Sequence, residues 1–402
     1  MASNKKILTC DVVVVGAGLV GLIAVIMLAE QGKQVILVDG QQKVDKQQTV
    51  KKIAQETQDF DARIYAITPS TEAFLKRLGV WSLLDLSRIN DVEAMALWND
   101  DVEQPLRLLA NDAHLVKMAC IVENDNLMQA LWRKIEALDI SLVMEASCRA
   151  LHYDKDAVVL DLENDDQISA SLIVAADGAH SFIRQQLAIT TKTKTFNQTA
   201  LVANYRAEKA HGNIARQWFA SHETLAFLPL PQQQVSIVWA IETEFAQALL
   251  NLTNEALAER VQKRSNDVLG ELTPTSQTFS FALKQVTANQ LIADRVVLIG
   301  DAAHQVHPMA GQGANLGFRD VISLENIIAN GHPMQDIGDC SFLRRYERER
   351  KVDILSITAL TSGLDKLFSV KSKTIKKTAS FGMQQLDKHP TIKKILIQQA
   401  IA

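Results

Sequence analysis

Runs of apolar residues too short for a helix recur along this chain, each followed by a polar turn. The first is Val12 to Val15, four consecutive β-branched residues, which predicts a fully buried strand. Residues 19–31 are apolar nearly throughout and predict a buried helix closed by Gly32 as a left-handed cap. A second strand over 35–38 stops at Asp39, and comparable buried strands are predicted at 172–176 and 295–299. Thr68-Pro69 predicts a capped helix running to Gly79, and 127–138 an amphipathic helix. Strands are predicted at 92–98 and 116–122, and a meander of three at 140–145, 148–153 and 157–162. From 189 to 290 the pattern changes to strict alternation: strands at 200–205, 224–230, 235–241 and 278–286, with a helix over 253–269. Pro229, Pro231 and the following glutamines mark a hairpin, and Val235, Ile237, Trp239 and Ile241 share one face that could wall an apolar pocket or simply be core.

These patterns predict an α/β protein: a Rossmann-like domain built from 1–72, 104–184 and 285–340, a second domain with an antiparallel sheet from 73–103 and 185–284, and a helical segment over 341–402. The 402 residues suffice for two subdomains, and 47% hydrophobic with 22% charged residues excludes a disordered or fibrous chain. A net charge of -4 gives no overall attraction to nucleic acid. The four cysteines have no metal or redox spacing, which fits thiols in a reducing cytoplasm, and no metal is expected. Residues 12–28 could pass for a membrane span, but three glycines in six residues and a following strand speak against it; the run also lacks the basic start and cleavage site of a leader.

The chemistry concentrates at two glycine-rich corners. Gly16-x-Gly18-x-x-Gly21 sits between strand and helix, the spacing that turns tightly, admits a diphosphate and packs the helix close. Asp39 stands where a carboxylate accepts both hydroxyls of an adenosine ribose and repels a 2′-phosphate, which favours FAD or NAD. Asp177-Gly178 ends a second buried strand, where a carboxylate serves a ligand or caps a helix. Gly300-Asp301-Ala302-Ala303-His304 ends a third, and His307 to Gly317 then opens a helix whose free N–H groups suit an anion, here the N1–C2=O edge of a reduced flavin. Arg63 can serve a diphosphate or pair with Asp59 or Asp61.

Gly16-x-Gly-x-x-Gly, Asp177-Gly178, Gly300-Asp301-Ala302-Ala303-His304 and the run HPMAGQGANLG together resemble the FAD-dependent aromatic hydroxylases, and within them the ubiquinone-biosynthesis ring hydroxylase family. Val122-Glu123-Asn124, Phe227-Leu228-Pro229-Leu230 and Leu343 to Arg348 extend the resemblance over nearly the whole chain. It implies a fold like p-hydroxybenzoate hydroxylase, with FAD held by Gly16, Gly18, Gly21, Asp39, Arg63, Asp177, Asp301, Gly311, Gly313, Ala314 and Asn315, and reduced transiently by NAD(P)H or another donor. It also implies that a C4a-hydroperoxyflavin hydroxylates the ring of a polyprenylated phenol or quinol with O2, at C5 by the C-terminal third and at C6 as the next reading. His304 and His307 are the acid–base candidates, or else hold the loop. A same-fold reductase or oxidase acting on an isoprenoid, and a non-catalytic FAD-binding subunit of a quinone-biosynthesis complex, are the competing readings. The lysine-rich segment 364–402 could meet an anionic inner membrane surface, a partner protein, or the domain itself. The expected location is cytoplasmic, with peripheral membrane contact through that segment.

Overall fold

A computed structural model describes residues 6–41, 59–99, 104–220, 223–306, 313–332, 334–369, 393–394 and 397, with side chains of the C-terminal helix up to 359. Its first sheet is built on the strand Ile7–Val15, which lies parallel between Val35–Asp39 and Gln167–Ala175. Val296–Leu298 extends the parallel set on one side and Ser141–Met144 on the other. Val12 to Val15 are almost wholly buried because both faces of the sheet are covered, the condition that selects an unbroken apolar strand. The helix Leu19–Glu30 buries every residue from Gly21 to Leu28, wedged against the sheet and the helices Asn124–Glu136 and Gly313–Ala329. Burial on all sides explains its resemblance to a membrane span. No helix among the described residues is long and apolar enough to cross a membrane.

Ser141–Met144 corrects the expected three-strand meander. It follows the helix Asn124–Glu136 and pairs parallel with Val35–Asp39. Only Cys148–Asp154, Ala157–Leu162 and Gln167–Ala175 form the antiparallel meander. The strand expected at 92–98 divides at Glu93: Asn90–Val92 joins a small sheet with Ile64–Ile67 and Ala119–Glu123, and Ala94–Asn99 joins the second sheet beside Ile214–Ala220.

The second sheet is dominated by Thr191–Ala207, paired with Gln234–Glu242 and Phe279–Ala288. The hairpin before Gln234 turns through Gln232 and Gln233, both left-handed at φ 58°, as a two-residue turn requires. Val235, Ile237, Trp239 and Ile241 do share a face, but the helices Thr243–Leu250 and Asn254–Arg264 close it through Ala246, Leu249, Leu257, Ala258 and Val261. That face is core, not a pocket wall. On the opposite, inner face, Leu228 and Leu230 pack with Val92 and Ile121 of the small sheet, while Val238 and Ala240 join Ala200 and Leu283 in a separate small cluster.

Packing also redistributes the segments. Phe74, Leu75, Leu78, Trp81 and Leu84 share the large core with the first sheet, and Leu106–Leu109 pairs with Ala94–Asn99 in the second. The helix Cys340–Ser369 sends Phe342, Leu343, Tyr346, Ile354 and Ile357 into the same large core.

Candidate active site: a flavin cleft between two glycine corners

At the first corner, Gly16 has φ +109°, and a Cβ there would stand 2.3 Å from the Ala176 carbonyl oxygen. A Cβ on Gly21 would stand 1.9 Å from the Gly16 carbonyl oxygen, so the helix lies directly on the loop. Gly18 is different: nothing lies within 4 Å of its Cβ position. It is the N-cap of the helix, without a side-chain cap, and the first turn has no acidic residue. Unpaired N–H groups facing an open cradle are what a diphosphate needs. Asp39 is held over the loop, accepting from the N–H of Ala17 at 2.6 Å and of Gln41 at 2.7 Å. Asp39→Ala is expected to leave the fold intact and weaken FAD binding about tenfold, the loss of a charge-assisted hydrogen bond, read by flavin fluorescence titration.

The second corner stands on a buried carboxylate. Asp320 is 0% exposed, and its Oδ2 accepts from the Gly300 N–H at 2.8 Å and lies 2.7 Å from His304 Nε2. Its Oδ1 accepts from Arg350 Nε at 2.7 Å, and Arg350 reaches Asp353 at 2.6 Å. Burial alone would raise the Asp320 carboxyl, but His304, Arg350 and the Gly300 N–H outweigh it and hold it below the usual carboxylate range. Asp301, next to Gly300, stays exposed, with Gln305 as its side-chain donor at 2.9 Å. Burial pushes the Tyr65 phenol up to about 12, and the strand Ile64–Ile67 that carries it is tied to the helix Gly313–Ala329 by the bond from the Asn315 amide to the Ala66 carbonyl. Arg63 lies 5.8 Å over the Tyr65 ring. The Tyr65 hydroxyl donates to Asn124 Oδ1 at 3.2 Å.

Between the corners, Asp177 Oδ2 accepts from the Ile183 N–H at 3.1 Å, while Oδ1 is buried without a protein partner. Both expected roles of Asp177 are thereby compatible: it caps the turn and keeps one acceptor for a ligand hydroxyl. Gly313 begins the helix Gly313–Ala329, and Ala314 packs on the large core. The Asn315 side chain is engaged elsewhere, donating to the Ala66 carbonyl at 2.7 Å and accepting from the Thr68 N–H and the Thr71 hydroxyl. It is a strut between the helix and the strand Ile64–Ile67, so any cofactor contact from Asn315 comes through its backbone. His304 is 3% exposed and lies 2.7 Å from Asp320, a contact of the kind the loop-holding alternative calls for. Gly311 and His307 lie outside the described residues.

Sequence reasoning missed the residues that brace the site. Arg184 Nη1 donates to the Ala302 carbonyl and Nη2 to the Ala179 carbonyl, each at 2.7 Å, tying the Asp177 turn to the Gly300 corner. Asp320 and Arg350 escaped because each looks like an ordinary helix-surface charge; the one available signal was an aspartate among apolar residues on the buried side of the Gly313 helix. Among the described residues no group of His, Cys, Asp and Glu could hold a metal.

An open cradle at one helix start, a spare buried acceptor on Asp177 and an exposed Asp301 at the second corner fit the diphosphate and hydroxyls of an extended dinucleotide. Fold and site therefore define an FAD-binding protein. Residues 9–358 match the FAD-binding domain family. The chain is 32% identical over 396 residues to a ubiquinone hydroxylase, UbiL, of Rhodospirillum rubrum, covering 97% of this chain and 89% of that one. It is 30% identical over 361 residues to a 3-demethoxyubiquinol 3-hydroxylase of Escherichia coli, covering 89% of each. The solved structure of p-nitrophenol 4-monooxygenase PnpA from Pseudomonas putida superposes at a TM-score of 0.78, with 17% identity, over 98% of both chains. The chain belongs to the FAD-binding domain family, and within it to the FAD-dependent monooxygenases of the ubiquinone hydroxylase group.

Proposed function

We propose that this enzyme hydroxylates the aromatic ring of a polyprenylated ubiquinone precursor, at C5 in preference to C6, with O2 as oxygen source and NAD(P)H or another donor as transient reductant. The observation that carries the reading is the pair of glycine corners, joined through Val20 against Gly300 and Gly317, in a chain whose second sheet carries the small apolar residues Val202, Val238 and Ala226 in register across three strands. A ring with an apolar tail suits such a surface, and the relatives at 32% and 30% identity are named for ubiquinone chemistry.

FAD, held by these residues and reduced, would supply the electrons that activate O2. The protein's part is to bind, orient and exclude water. Gly18 and the first helix start would hold the diphosphate, Asp39 the adenosine ribose, Asp301 and Asp177 the ribityl hydroxyls, and the Gly313 helix start the negative edge of the reduced ring. Arg63 would add fixed positive charge near the diphosphate.

In an 18O2 incubation with reductant and a short-chain polyprenylphenol, one labelled oxygen is expected in the product. Label-free product, or substrate-independent flavin reoxidation, would overturn the assignment to hydroxylation. The accumulating intermediate in a deletion strain distinguishes C5 from C6. Membership of a quinone-biosynthesis complex and contact of 364–402 with an anionic membrane surface are part of the same proposal. Most of that segment lies outside the described residues, although Ile397 is fully buried against Phe60, Leu106 and Leu230. Truncated and full-length protein floating equally with anionic liposomes would remove the membrane role.

A further inference from the structure

Three side chains on the inner face of the second sheet are completely buried, and each keeps one polar atom without a protein partner: Asn204 Oδ1, Ser236 Oγ and Gln234 Nε2. Register makes them neighbours. Asn204 stands opposite Ser236, and Gln234 follows two residues along on the same face. The Asn204 amide is oriented by its own bonds: Nδ2 donates to the carbonyls of Phe60 at 2.7 Å and Asp61 at 3.1 Å, so Oδ1 is the atom left over. Gln234 Oε1 accepts from the Thr275 hydroxyl at 2.9 Å, and the Thr275 N–H donates to the Asn204 carbonyl at 2.9 Å. That shared threonine brings the Gln234 amide alongside Asn204.

The surroundings are apolar. Leu228 and Leu230 face Ser236 and Gln234 from the next strand, with Phe60 and Ile121 in the same cluster. Polar atoms left unpaired in such a place are costly, and native structures rarely gather three of them. One hydroxyl oxygen repairs all three at once: it donates its proton to Asn204 Oδ1 and accepts from the Ser236 hydroxyl and from Gln234 Nε2. A ketone or a carboxylate has no proton to give and leaves Asn204 unpaired. Along the strands, Val202 with Val238 and then Ala200 with Ala240 continue the face with small apolar residues. The Phe60–Asp61 segment gripped by Asn204 leads to Arg63, whose N–H donates to Asp61 Oδ1 at 2.9 Å.

We propose that Asn204, Ser236 and Gln234 form a binding site for a single hydroxyl group, filled by the ring hydroxyl of the phenolic substrate and by water when substrate is away. The substrate half rests on the function proposed above; the water half does not. Purified FAD-loaded wild type and Ser236→Ala decide both. Removing an idle buried hydroxyl leaves stability unchanged or improves it, whereas removing a partner of a bound hydroxyl lowers the thermal midpoint, which is the expected result. Wild type is expected to bind a short-chain prenylphenol about tenfold more tightly than the matching prenylbenzene, read by perturbation of the flavin absorbance. In Ser236→Ala that ratio falls toward one while the prenylbenzene Kd is unchanged. An unchanged or raised midpoint together with an unchanged ratio overturns the site. A lowered midpoint with an unchanged ratio overturns the substrate half and leaves a water site. Failure of the wild type to bind either compound counts against the proposed function, and the midpoint still judges the water half.

Discussion

Asp320→Asn is expected to be the most destabilising single-atom change at the site, by about 3 kcal/mol, because it leaves the buried Arg350 guanidinium with Asp353 as its remaining carboxylate partner. The Arg350 side chain is 4% exposed and the Asp320 side chain 0%, so water cannot take over the lost charge. An asparagine can still accept from one N–H, yet it cannot balance Arg350 and hold both Gly300 and His304. FAD retention should fall with stability, since Asp301 is anchored through its neighbour Gly300. The double variant Asp320→Asn with Arg350→Met is expected to recover part of the loss, the signature of a coupled pair. The pH dependence has a definite sign. A carboxyl held below its unfolded value contributes stability above that value, about 3.9, and loses it as pH falls through the folded value. Wild type should therefore lose on acidification below about pH 4 a contribution that the variant never had. Thermal midpoints from pH 7 to pH 3 check this; parallel curves for the two proteins would overturn the role given to Asp320.

Gly21→Ala and Gly18→Val are expected to separate folding from cofactor binding. At Gly21 the added carbon meets a backbone oxygen at 1.9 Å, and neither strand nor helix can yield without moving the sheet. A loss of about 3 kcal/mol or more, seen as insoluble or low-melting protein, is the expected outcome. At Gly18 the backbone is extended with φ -74°, which any residue adopts, and the Cβ position is open. Gly18→Val should fold with an unchanged apoprotein melting curve and bind FAD at least about a hundredfold more weakly, near 3 kcal/mol, because the side chain fills the diphosphate cradle. A Gly18→Val protein that purifies yellow with a wild-type FAD Kd would place the cofactor elsewhere.

What could be read from sequence is what neighbouring residues decide among themselves. Val12 to Val15, the glycine spacing that follows and the Thr68 cap, whose hydroxyl accepts from the Thr71 N–H, depend on local geometry, and each sits where expected. Pairings across long stretches of chain were not legible. Arg184 reaches a carbonyl 118 residues away, and Asn204 one 144 residues away. Nothing beside either residue in the sequence reports that. The division at Glu93 turns on a single N–H that bonds to the Asn213 carbonyl, a partner that exists only after the second sheet has formed. Asn315 shows the opposite difficulty: the family resemblance suggests a ligand contact, and tertiary packing recruits its side chain as a strut.

The large core has a consequence for biosynthesis. Val12 to Val15 leave the ribosome early, yet their sheet is completed by Val296–Leu298, and Tyr346, which ties the late helix to Leu298, is later still. The parallel sheet therefore stays open along the edge of Gln167–Ala175 until Val296–Leu298 has been made, and such an unpaired edge is aggregation-prone.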